Sequence, residues 1–363
     1  MNPSGIVLSW QQRIRMKHFF IFLLCTCTFV ASSQNKSIPK LEVLTSGTKT
    51  SIRGLSVVND QVIWVSGSNG TIGKSTNGGK DWRWIVVKGF EKTEFRDIEA
   101  FDGTTAIVMN SSDKDPAYIL RTADGGETWK VVYENKTKGM FLDAMEFWNE
   151  FAGIVIGDPI NGKFFVTRTF DGGLTWQDVP EKNLPVADTG EACFAASGTN
   201  VRALDNDEAV FVSGGLRSSV FIKNEKLKLP FIQGKETTGA NSIAVYDRYR
   251  KKGGNQLVIV GGDFNDTAST VKNCIYSTNR GKTWKAPKEP PHGYRSCVEY
   301  LDKTNLVACG LTGVDYTIDN ANTWKLISKE SFHVCRIAKI GNTVYLAGNN
   351  GKIAKLVFGP EKN

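Results

Sequence analysis

The chain has 363 residues, 40% of them hydrophobic and 23% charged, with a formal net charge of +8. That balance supports a large apolar core and excludes a disordered chain; lysines spread without blocks argue for a solvated surface over a nucleic-acid-binding one. Seven cysteines at wide spacing make no disulfide framework.

Residues 1–33 read as an export signal. Met16, Lys17 and His18 lead into the apolar run FFIFLLCTCTFV (19–30) and the small residues of ASSQ (31–34). About a dozen apolar residues fall short of the roughly 20 that a bilayer span needs. The expectation is an exported chain, periplasmic or extracellular, without stable membrane insertion. Met16 serves as a start as well as Met1 does, because residues 1–15 add nothing that export requires. Leu24 and Thr26, which precede Cys25 and Cys27, are too large for a lipobox. Cleavage near Ser33 removes Arg13, Arg15 and Lys17 and no acid, leaving 42 basic and 37 acidic residues and five cysteines: Cys193, Cys274, Cys297, Cys309 and Cys335.

Beyond the signal the chain repeats. The octad STNGGKDW (75–82) recurs as TADGGETW (122–129), TFDGGLTW (169–176), STNRGKTW (277–284) and TIDNANTW (317–324). Upstream of the octads lie short β-branched runs ending in Gly, such as VIWVSG to Gly67, GIVIG to Gly157, LVIVGG to Gly262 and LVACG to Gly310. Such runs read as strands. A period of about 40 to 54 residues with about four strands each predicts a β-propeller. The gap between Trp176 and Trp284 fits two units, one of which, AVFVSGGLRSSVFIKNEKLKL (209–229), has lost its octad. Innermost strands starting near Arg53, Arg96, Asp143, Glu191, Asn241, Arg295 and His333 predict seven blades in a single all-β domain over residues 34–363. The last unit ends at KIAKLVF (352–358), short of a fourth strand, and KLEVLTSG (40–47) is expected to supply it and close the ring.

The octad has the chemistry of a turn. Asp or Asn bonds backbone amides, Gly tolerates positive φ, and Trp packs as an apolar plug. Asp124, Asp171 and Asp319 are therefore read as structural. A functional site is sought instead at the entries to the innermost strands, which ring one mouth of the central channel: Arg53, Arg96, Leu142, Glu191, Asn241, Arg295 and His333. Loops after the second strands reach the same face with Asp158, Arg217 and Asp263. Arginines with a Glu and a His around one depression make an anion site, since Arg binds carboxylate or phosphate in bidentate fashion. The competing reading is a structural ring of ion pairs.

Cys193, Cys297 and Cys335 each fall two residues after the ring position, where other blades carry Leu55, Ile98 and Ile243, so they read as small core residues. A metal cluster joined by His333 is the sharper alternative, against which stands the wide spacing of these residues. No Gly-rich phosphate loop, paired zinc-ligand motif or Gly-x-Ser-x-Gly elbow is present, and neither cofactor nor metal is expected.

The octads resemble the Asp-box of BNR propellers, where the motif turns between the third and fourth strands. Units such as FRDIEAFDGTTAIVMN followed by YILRTADGGETWKVVY (within 95–133) resemble the photosystem II stability/assembly factor-like group, over about residues 40 to 358. Bacterial chains of this kind often carry the label oxidoreductase, but no nicotinamide or flavin motif supports it here. The resemblance implies a non-catalytic helper, taken here as a monomer, that binds a protein partner through basic inner-strand residues like Arg53, Arg96 and Arg295. A more distant resemblance, to sialidases, implies a glycosidase acting on an acidic sugar, with Tyr294, Glu191 and Asp158 or Asp263 in the roles of nucleophile, partner and acid. Against it stand SIRGL (51–55) in place of a Phe-Arg-Ile-Pro segment and seven blades in place of six. The binding module, with a protein or an anionic carbohydrate as partner, is the favoured reading.

Overall fold

The computed structural model describes residues 38–111, 116–205, 207–223, 225–246 and 253–359. The segment read as an export signal lies outside the described residues. Seven antiparallel sheets stand in a ring, a seven-bladed all-β propeller. Blade one runs Ile52–Val57, Ile63–Gly67, Thr71–Ser75 and Arg83–Val86 from the channel outwards. The second strands Ile63–Gly67, Ala106–Asn110 and Leu306–Gly310 are buried at every residue. Neighbouring blades cover both of their faces, which is why they read as apolar runs and not as alternating patterns.

The ring closes as the sequence predicts. Val334–Ile337, Val344–Ala347 and Ile353–Val357 form three strands of blade seven, and Lys40–Thr45 adds the fourth, pairing Leu41 with Leu356 and Val43 with Ala354. Leu41 and Leu44 pack on the core of that blade. The N-terminal strand thus covers an edge that would otherwise be open.

All five octads occupy the turn leading out of a third strand. In the second, the Thr122 hydroxyl donates to Asp124 at 2.8 Å, Gly126 N–H donates back to Thr122 at 3.0 Å, and Thr128 donates its N–H and hydroxyl to the Asp124 carboxylate at 3.0 and 2.5 Å. The Trp then reaches the preceding blade: Trp129 stands edge-on to Trp64, with centroids 6.5 Å apart, and Trp324 packs with Val258 and Cys274. The fifth octad residue must approach that blade closely in a left-handed conformation. A Cβ at Gly173 (φ 75°) would lie 2.2 Å from Ile107 Cδ1. In the fifth octad this place is held by Ala321, at φ 69°. The octad therefore staples blade to blade.

Blade four departs from expectation. Its innermost strand is Val201–Ala203, not a strand at Glu191, and it pairs with Ala209–Val212. Glu191–Ala192 instead pairs with Gly214–Gly215, and both join the sheet of blade five. The segment between, residues 193–200, enters the central channel as a plug. Ala195, Ala196 and Ser197 are buried there, and a Cβ at Gly198 would lie 2.2 Å from Asp97 Cγ. The third and fourth strands of this blade pair Ile222 with Glu225, which leaves no room for an octad.

Candidate functional site

Four innermost strands carry a bulge at the same point, where the register slips by one residue: Arg53, Arg96, Asp143 and Asn241 are the extra residues. A bulge re-aims the side chain that it carries, so one residue type per blade is turned towards the mouth of the channel. In blade three that residue is Asp143 and not Leu142, which pairs in register with Gly157 and is fully buried in the core.

The mouth holds a cavity of about 470 Å³, lined by Arg53, Arg96, Asp158, Asn241, Tyr294 and His333 among others. Its floor is the plug, from Ala192 to Ala196. Arg53 donates to the Ala196 carbonyl at 3.3 Å and Arg96 to that of Ala195 at 3.2 Å. From blade seven Arg336 donates to the carbonyls of Ser197 and Gly198 at 3.1 and 3.4 Å. Each guanidinium at the mouth spends one of its five donors on the plug.

The electrostatics favour an anion. Burial and then the like charge of Arg96 push the Arg53 pKa down to about 10, and no ion pair of Arg53 is present among the described residues. The nearest carboxylate to Arg96 is a loose one, Glu94 at 3.9 Å. His333 donates Nδ1–H to the Ile52 carbonyl at 2.9 Å; burial, with Arg53, lowers its pKa to about 4, so it is a neutral imidazole at ordinary pH. Burial followed by the charge of Asp158 holds Asp143 well above the usual carboxylate range. Asp158 accepts from Cys193 N–H at 2.9 Å, yet burial outweighs this bond and raises its pKa to about 6. Asn241 is 1% exposed, with neither amide atom bonded to protein. Burial also raises the Tyr294 phenol.

The remaining residues read as a ring do not join this cavity. Arg295 is fully buried, donating Nε–H to Asp315 at 2.7 Å and its other donors to Tyr294, Thr312 and His292. Glu191 is sealed by Ser213, by Lys226 at 2.6 Å and by Asp188 N–H at 2.8 Å. Arg217 is exposed, and among the described residues it donates to the carbonyl of its neighbour Leu216. Asp263 anchors its own loop through Thr237 at 2.8 Å and Asn265 at 2.9 Å. Cys193 lies on the plug and lines the mouth, out of register with Leu55. A ring of ion pairs exists, but at the opposite mouth, where Arg202 bridges Glu146 at 3.4 Å and Glu299 at 3.0 Å, and Lys339 meets Glu99. Sequence reasoning missed the plug altogether. Its signal is ACFAASG (192–198), small residues around Phe194 just where an inner strand was expected.

The family described as BNR/Asp-box repeat matches residues 275–286, which hold the whole fourth octad. No curated protein matches the chain. Among solved structures, "YCF48 bound to D1 peptide" is similar with a TM-score of 0.60 and 16% identity, covering 90% of this chain and 99% of that one. YCF48 from Cyanidioschyzon merolae is similar with a TM-score of 0.60 and 15% identity, covering 89% of this chain and all of that one. The chain thus carries BNR/Asp-box repeats and has the fold of YCF48.

Proposed function

We propose that this chain is an exported, non-catalytic propeller that binds a protein partner through an anionic group seated at the Arg53 and Arg96 mouth. The observation that carries the reading is the pairing of two desolvated guanidiniums, neither held by a close carboxylate, within one cavity. Burial strengthens a charge-assisted bond and leaves these cations in need of a partner. That YCF48, a propeller of this fold, is known bound to a D1 peptide supports a peptide as the class of ligand. Export rests on the leader, and a monomer on the closed ring.

The sialidase-like reading finds no support in the geometry. Tyr294 lines the cavity, but Glu191 lies outside it, committed to Ser213 and Lys226. The test is fluorescence anisotropy with a pool of acidic peptides, run beside chromogenic sialosides. Saturable, salt-sensitive peptide binding that disappears in the Arg53→Ala, Arg96→Ala double variant supports the proposal. Sialoside turnover that is lost in Glu191→Gln would replace it with the hydrolase.

A further inference from the structure

Away from the mouth, three thiols meet between blades six and seven. Cys297 stands opposite Cys309 on adjacent strands, and Cys335 comes from the next blade. All three are fully buried, and their sulfurs lie within 4.8 Å of one another, with Cys297 and Cys335 at 3.6 Å. We propose that Cys297, Cys309 and Cys335 form a three-coordinate thiolate site for a soft monovalent cation of the Cu(I) class.

Geometry decides the class. With metal–sulfur bonds of about 2.3 Å, sulfurs around a three-coordinate ion sit about 4 Å apart, close to the spacing already present. Zinc in a structural site takes a fourth ligand. No fourth Cys, His or carboxylate belongs to the group among the described residues, and the three sulfurs sit within an apolar cluster. Soft thiolates select Cu(I) where hard ligands are missing.

The surroundings favour thiolate over a plain hydrophobic thiol. Cys297 Sγ accepts from the Cys335 N–H at 3.3 Å and lies 3.6 Å from the Arg336 guanidinium. On binding, the cation displaces the thiol protons to solvent. Arg336 beside Cys297 and Arg295 near Cys309 offset the negative charge of the loaded site.

The test is titration of the full, reduced chain with Cu(I) under anaerobic conditions against a chromogenic Cu(I) chelator, followed by X-ray absorption at the copper edge. The expected result is one ion per chain with three sulfur neighbours, weakening as pH falls. Cys309→Ser and the apolar Cys309→Val should each lose at least a hundredfold in affinity, whereas Cys193→Ser and Cys274→Ser keep it. Circular dichroism shows whether a variant is folded, and the two substitutions at Cys309 provide a folded chain if either one fails. Copper binding unchanged in a folded Cys309 variant, no binding by the parent, a preference for Zn²⁺, or a Cys297–Cys335 disulfide in the unreduced protein would each overturn the assignment.

Discussion

Arg53 and Ala196 lie 143 residues apart in the chain, yet Arg53 Nη1 donates to the Ala196 carbonyl at 3.3 Å. Arg96 does the same for Ala195, and Arg336 for Ser197. Arginines from blades one, two and seven thus clamp one strap from blade four across the channel. A hydrogen bond from a charged donor contributes about 1.5 to 3 kcal/mol, so the clamp holds the floor of the cavity in place.

Replacing Arg53 and Arg96 together by Ala should therefore loosen the plug without unfolding the propeller. Amide exchange over residues 193–198 is expected to speed up while the second strands of the blades stay protected. Unchanged protection of the plug would show that it holds itself.

Anion binding at the mouth should depend on pH through Asp158. Its folded pKa of about 6 lies above the ordinary value of about 3.9. The carboxyl is neutral at pH 5 and charged at pH 7.5, while Arg53 and Arg96 stay cationic and His333, with its pKa of about 4, stays neutral at both. Affinity for an acidic peptide is expected to fall about fivefold as pH rises through 6, and Asp158→Asn should flatten the profile. The stability sign agrees: the folded state holds this proton more tightly than the unfolded chain, so the contribution is complete below about pH 4 and is lost as pH rises through 6. A binding profile that is flat in the parent chain would contradict the placement of Asp158.

Arg295, by contrast, should fail through stability. Arg295→Ala leaves Asp315 buried without its cation, a loss of about 3 to 5 kcal/mol. Thermal melting is the measurement, and Arg217→Ala, exposed and loosely bonded, is the control expected within about 0.5 kcal/mol of the parent.

The octads make a separate prediction. Trp324→Ala should cost about 3 to 5 kcal/mol through the cavity it opens between blades five and six. Ala321→Gly should stabilise by up to about 1 kcal/mol, because Ala321 stands at φ 69°, where its Cβ is strained. Chemical denaturation reads both, and an Ala321→Gly chain less stable than the parent would show that the lost Cβ contacts outweigh the strain.

Most of the architecture was legible because local chemistry dictates it. Gly-ended β-branched runs mark the second strands, the octad marks the turn that follows the third, and a missing last strand pointed to residues 40–47. The site was legible only where the blades keep register. Arg53, Arg96, Asn241 and His333 fall where the repeat puts them, and Asp158 and Tyr294 line the cavity beside them. Glu191 was misplaced because the inserted plug shifts blade four by about ten residues, and nothing local distinguishes EAC from a strand entry. Arg295 occupies the expected position but turns into the protein, since Asp315 on the third strand of its own blade, unseen in a one-dimensional alignment, captures it. Asp143 and Leu142 differ by one residue, and only the bulge reveals which one faces the mouth.

The central claim, that the Arg53 and Arg96 mouth takes an anionic group from a protein partner, is tested most directly by the salt and charge dependence of peptide binding. Anisotropy titrations would compare one acidic peptide with its amide-substituted neutral copy, in the parent chain and in the folded Arg53→Ala, Arg96→Ala variant, at about 50 and 300 mM salt. The account predicts that the parent binds the acidic copy at least tenfold more tightly than the neutral one, that salt weakens this preference, and that the variant has none. Equal affinity of the variant and the parent for the acidic peptide would contradict it.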